Sequence, residues 1–196
     1  MKKGLIFLGV IVVLAIIVYG MVKGAYNGMV EKEEAVTKEW ADVQSAYQRR
    51  ADLIPNLVAT VKGYAEHEKE TLEAVIEARS KATSITIDAE NFDADALKKF
   101  QASQDGLTSA LSRLIAVAEN YPDLKANQNF LDLQAQLEGT ENRINVARQK
   151  FNDTARDYNT YIRSFPQNIM AGLFNFEKKA YFEASEGADK APEVKF

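Results

Sequence analysis

The run Gly4 to Val22 (GLIFLGVIVVLAIIVYGMV) holds no charged residue, and it restricts the fold more than any other stretch of the chain. At ~1.5 Å of rise per residue, a helix of that length crosses a hydrocarbon core of ~30 Å. A lone segment in lipid satisfies its backbone hydrogen bonds only as a helix. Lys2 and Lys3 precede the run and Lys23 follows it. Tyr19 and Tyr26 stand where interfacial aromatics stand. A cleaved secretory signal is the rival reading. The run exceeds the usual apolar core of ~7–15 residues, and no A-x-A-like site follows it. A cut after Ala25 would put Lys23 where a small residue is wanted. Without cysteine a lipoprotein anchor is excluded. Residues 1–24 are therefore expected to form a single-pass membrane anchor.

About 170 of the 196 residues remain after the anchor, enough for one domain with a real core. The formal charge of −4 and a pI near 5.2 speak against nucleic-acid binding, which needs a basic face. The lack of cysteine removes disulfides, thiol catalysis and Cys-based metal sites, and it leaves the compartment open.

The soluble part reads as helical, with apolar spacings of three and four and no sustained alternation. Prolines at 55, 122, 166 and 192 punctuate it. The first soluble helix continues from the anchor to about Arg50 on Val36, Trp40, Val43 and Tyr47. A second starts near Asp52 as N-cap, with Pro55 in its first turn, where the missing N–H costs little. Its stripe is Leu57, Val61, Tyr64, Leu72 and Val75, fading near Ser84. The apolar register also passes through Pro55 with little phase jump, so one long kinked helix is the alternative to a turn. After a linker at 85–95, a third helix covers roughly Ala96–Asn120. A fourth runs from about Asn127 to Ser164 on Phe130, Leu133, Leu137, Ile144, Ala147, Phe151, Tyr158 and Phe165, with Thr140 and Thr154 filling two positions. Pro166 ends it. The expected fold is all-α: the anchor leads into an up-and-down four-helix bundle over 25–183. A short amphipathic helix closes the domain, and a flexible tail covers 184–196.

Four ordered blocks of this sequence resemble the LemA family. The first is Tyr47 to Val58 (YQRRADLIPNLV). The second is Glu119 to Asn127 (ENYPDLKAN), with Phe130 and Leu133. The third runs from Glu141-Asn142-Arg143-Ile144 through Arg148 and Tyr158-Asn159 to Arg163-Ser164-Phe165-Pro166. The fourth is Ala171-Gly172-Leu173-Phe174 with Tyr181-Phe182. The resemblance covers roughly residues 25–185. It implies a membrane-anchored bacterial helical bundle with no defined reaction. Relatives linked to magnetosome membranes or encoded near membrane proteases hint at envelope work. The expected location is the bacterial cytoplasmic (inner) membrane. The cluster of Lys2 and Lys3 favours the N-terminus inside and the bundle outside the cytoplasm.

The residues offer little to catalysis. Glu66, Glu70, Glu73 and Glu77 share a helix face at spacings of 4, 3 and 4, but a di-metal bundle needs two Glu-x-x-His pairs. His67 is the only histidine. No G-x-S-x-G elbow and no Gly-rich phosphate loop occurs. No cofactor, metal or reaction is expected.

Three groups suit contacts instead. Arg49, Arg50 and Asp52 either tie the Pro55 junction to a neighbouring helix by charge-assisted bonds or dock an acidic partner at the end far from the membrane. Asn145, Asn152 and Asn159 repeat at seven, flanked by Arg148, Arg156 and Arg163. They form either a solvated face or a polar seam between subunits. The segment Pro166–Phe182 presents Ile169, Met170, Leu173, Phe174 and Phe176, then Lys178 and Lys179. It either lies in the headgroup boundary or closes the open end of the bundle. These features lead to a non-enzymatic protein that contacts the lipid bilayer, forms a homo-oligomer and organises or remodels the membrane. The alternative is an adaptor or sensor that binds another envelope protein, such as a protease.

Overall fold

The computed structural model describes residues 2–87 and 92–183. Part of the linker and the expected tail at 184–196 lie outside the described residues. Six helices follow in order: α1 (Lys2–Lys62), α2 (Lys69–Ser84), α3 (Ala94–Ala118), α4 (Pro122–Lys125), α5 (Gln128–Arg163) and α6 (Gln167–Phe174). No strand occurs among the described residues. The distal part of α1 packs with α2, α3 and α5 as a four-helix bundle, and α1 lies along most of α5.

The expected turn at Pro55 is not there. α1 runs through it for 61 residues, about 90 Å. A proline inside a helix leaves the carbonyl four residues earlier without its donor. Here that carbonyl belongs to Ala51, which is buried, and Arg79 of α2 donates Nε to it at 2.8 Å. A side chain from the next helix thus replaces the missing N–H, and the helix continues. Asp52 consequently lies inside α1, accepting from Gln48 Nε2 at 2.7 Å, and does not cap a helix. The break falls at Gly63–Glu68, and the second helix is shorter than expected.

α5 matches its predicted limits closely. Asn127 caps it, accepting from the Phe130 N–H at 3.1 Å, and Ser164 leaves it in an extended conformation. Asp93 caps α3 in the same way through the Ala96 N–H. Phe165 lies beyond the end of α5 and is 81% exposed, so it is not part of the buried seam.

The core has two parts. The part nearer the anchor is aromatic, with Trp40, Phe92, Phe100, Phe151, Tyr158 and Phe182. Trp40 meets Phe92, Phe100 and Phe151 edge-on at 4.8–5.7 Å. The far part is mainly aliphatic, around Ile54, Leu57, Val75, Leu107, Leu114 and Leu137. Close packing of this kind stabilises each fully buried large side chain by about 1.5–3 kcal/mol.

Candidate functional site

Arg50 sits at the junction of the two core parts and is 3% exposed. Its Nη1 donates to Thr108 Oγ1 and Glu141 Oε2, both at 3.0 Å. Its Nη2 donates to Gln104 Oε1 at 2.7 Å and to the Gln104 carbonyl at 3.3 Å. Gln104 Nε2 in turn donates to the Ala82 carbonyl at 3.1 Å. One guanidinium therefore gathers α1, α3 and α5 directly and α2 through Gln104. Its planar fork suits this role, and a lysine could not copy it. Arg50 is therefore not available to an outside partner, which corrects that expectation. Arg49 and Asp52 remain exposed, but part-way along α1 and not at the far end of the bundle. That end is closed by Tyr121 donating to Glu68 Oε1 and by Asn127 donating to Tyr64 Oη, each at 2.9 Å. The bond to Glu68 holds the Tyr121 phenol above its ordinary range.

The asparagine seam of α5 also has an internal partner. After α6 the chain turns at Asn175, in the left-handed region at φ 58°, and runs extended along α5 as a strap from Phe176 to Glu183. Asn159 Nδ2 donates to the Lys179 carbonyl at 2.8 Å, and its Oδ1 accepts from the Lys179 N–H at 2.9 Å. Asn152 repeats the pattern on Phe182, at 3.0 and 2.9 Å. Arg148 donates to the Glu183 carbonyl at 3.0 Å and lies over the Phe182 ring. Asn152, Asn159 and Arg148 are thus engaged inside the chain, and only Asn145, Arg156 and Arg163 of that seam stay exposed.

Lys179 is corrected too. It is buried, with Nζ 2.8 Å from Glu33 Oε1 and close over the Tyr158 ring, so it does not reach lipid phosphates. Burial first, and then the charge of Glu33, push the Tyr158 phenol well above its ordinary value. Its Oη is buried without a hydrogen-bond partner. Lys178 is exposed.

The base of the bundle is where the anchor emerges. Aliphatic and aromatic side chains from Ile6 to Met21 stand on α1 about half to two-thirds exposed, covered by no other part of the described chain. About one turn beyond Val22, Tyr26 meets Phe174 at 5.0 Å and Phe176 at 5.7 Å, both edge-on. α6 is therefore held level with the end of the apolar run. Phe165, Ile169 and Leu173 are exposed there, while Met170 and Phe176 turn inward against the core. The amphipathic helix is thus half as long as the expected segment, because its second half is the strap.

His67 is exposed in the Gly63–Glu68 turn. Glu73 pairs with Lys69 and Glu77 with Lys81 on the solvent side of α2. No group of three metal-binding side chains gathers among the described residues. Sequence reasoning missed Arg79 and Gln104. Gln104 had a readable signal, since it falls in the buried register between Phe100 and Leu107.

An apolar N-terminal helix continuous with a polar-pinned bundle defines a membrane-associated helical-bundle protein. A family model described as the LemA family matches residues 39–196, and the chain belongs to that family. It is similar to Protein LemA of Metamycoplasma hominis, 26% identical over 170 residues, which is 87% of this chain and 74% of that one. Magnetosome protein MamQ of Magnetospirillum gryphiswaldense is 27% identical over 186 residues, covering 84% of this chain and 66% of MamQ. Magnetosome protein MamQ 2 of Paramagnetospirillum magneticum is 30% identical over 92 residues, 47% of this chain and 34% of that relative. The chain thus spans just under two thirds of the first MamQ and about one third of the second.

Proposed function

We propose that this chain is a non-enzymatic membrane protein that self-assembles and organises or remodels a bacterial membrane. One observation carries the reading: α6 is fixed against Tyr26 at the foot of the apolar run, with Phe165, Ile169 and Leu173 exposed. The span and α6 then form two lipid contacts joined rigidly to one bundle. An interfacial helix beside a span wedges one leaflet only, which biases curvature. Anchored copies share a plane, so weak lateral contacts suffice for assembly. The similarity to proteins named for the magnetosome agrees with membrane work. In this reading the span lies in the inner membrane and the bundle outside the cytoplasm, the side that the Lys2–Lys3 cluster before the span favours.

The test is reconstitution of the full chain in anionic vesicles. Wild type should give tubules or smaller vesicles. The triple substitution Phe165→Asn, Ile169→Asn, Leu173→Asn should give vesicles like protein-free ones. Equal effects of the two proteins, or none from either, would refute the reading. Protease cleavage of the bundle in intact spheroplasts checks its side.

A further inference from the structure

The strap is recognised chiefly through its backbone. Asn159 and Asn152 each take both the N–H and the C=O of one strap residue, three residues apart, as a chain with three residues per turn presents them. Their spacing fits an extended chain running antiparallel to α5. Seven helical residues rise ~10.5 Å, and the three steps from Lys179 to Phe182 span ~9 Å at the rise of polyproline II, which returns both residues to one side. Asn145, one further step along α5, is exposed. Two side-chain sites add selectivity: Glu33 takes Lys179, and the aromatic wall of Trp40 and Phe151 takes Phe182. The result is a peptide-binding groove with a resident ligand.

We infer that this groove also accepts the Phe176–Glu183 strap of a second copy, so that neighbouring chains exchange straps. Charge and shape identify the occupant. The groove matches a lysine three residues before a phenylalanine in an extended segment, and every copy carries that segment. The strap has an outlet for exchange. It is joined to α6 through the left-handed turn at Asn175, which can serve as the hinge while α6 stays seated against Tyr26. Eight extended residues reach about 26 Å, enough to pass between touching bundles. Exchange replaces each contact by an identical one, so only the hinge changes. The inference rests on the self-assembly proposed above and gives it a contact.

The chain lacks cysteine, which makes a direct test simple. Lys98 and Glu183 line the same cleft and are both exposed. Two differently tagged full-length copies, one Lys98→Cys and one Glu183→Cys, are co-expressed and treated in membranes with a short bis-maleimide. Strap exchange predicts a covalent dimer carrying both tags. Adding Asn152→Ala and Asn159→Ala to the Lys98→Cys copy should cut the yield more than about tenfold, since its groove loses five bonds to the strap. The same pair in the Glu183→Cys copy should raise the yield, because that strap is freed from its own groove.

With both cysteines in one chain, the link should close within the chain, and failure to do so overturns the strap's placement and the inference with it. An intrachain link without a mixed dimer refutes exchange, as does a Glu183→Cys copy linked to a foreign protein instead. Sizing of the untreated membrane extract separates the two proposals. An oligomer without mixed crosslinks sinks exchange and leaves assembly standing, whereas a monomer sinks both.

Discussion

Replacing Arg79 by leucine should expose the cost of Pro55. Arg79 Nε is the donor that serves the buried Ala51 carbonyl in place of the absent residue-55 N–H. Removing it deletes one charge-assisted bond and orphans a buried acceptor, a loss of about 2 kcal/mol. For a chain of this size that lowers the unfolding midpoint by about 4–8 °C. Pro55 is exposed, so Pro55→Ala disturbs no packing and restores the helical N–H. In the Pro55→Ala background Arg79→Leu should cost under about 1 kcal/mol, because Ala51 keeps a donor. The double-mutant cycle should therefore show a coupling of about 1 kcal/mol or more. Far-UV circular dichroism of the detergent-solubilised full chain, followed on heating or in urea, reads all four proteins. An equal cost for Arg79→Leu in both backgrounds would refute the account of how α1 passes through proline.

Three further outcomes follow from the same geometry. Glu141→Gln should destabilise the bundle by about 2–4 kcal/mol in urea unfolding, because it leaves the Arg50 charge buried without its counter-ion. Phe182→Ala should cost about 3–4 kcal/mol and shift Trp40 emission to the red, as water enters beside the only tryptophan. The Tyr158 phenol stays neutral in the fold above pH 10.0, the ordinary value, while the unfolded chain ionises there. The unfolded state then binds fewer protons, so the contribution of Tyr158 is constant below about pH 10 and falls as pH rises further. Tyr158→Phe should flatten that alkaline fall, because it removes the titrating hydroxyl.

The anchor and α5 were legible because each follows from local pattern alone. An uncharged run needs no partner to be recognised, and the seam from Phe130 to Tyr158 repeats on one face. The continuity through Pro55 was not, because its cause, Arg79, lies on another helix, 28 residues from the Ala51 carbonyl it serves. The apolar register across Pro55, which passes with little phase jump, agrees with the continuous helix. Arg50 falls in the buried stripe between Tyr47 and Ile54. A polar residue in an apolar register is a sign of an internal partner, as it is for Gln104. The asparagine repeat was visible, but its ligand, Phe176–Glu183, reads in the sequence as the second half of the amphipathic segment. Lys179 illustrates the point: beside Lys178 it reads as a basic pair, yet Lys179 and Phe182, three apart, are the two strap residues buried against the bundle. One lysine meets water and the other meets Glu33.

The most direct measurement is the number of copies in each native-membrane nanodisc, counted by single-molecule photobleaching of a fluorophore-tagged full chain at natural expression. A self-assembling membrane organiser predicts several bleaching steps in most discs. The count should fall when Phe165, Ile169 and Leu173 are made polar. Single steps throughout, at all expression levels, would contradict the account.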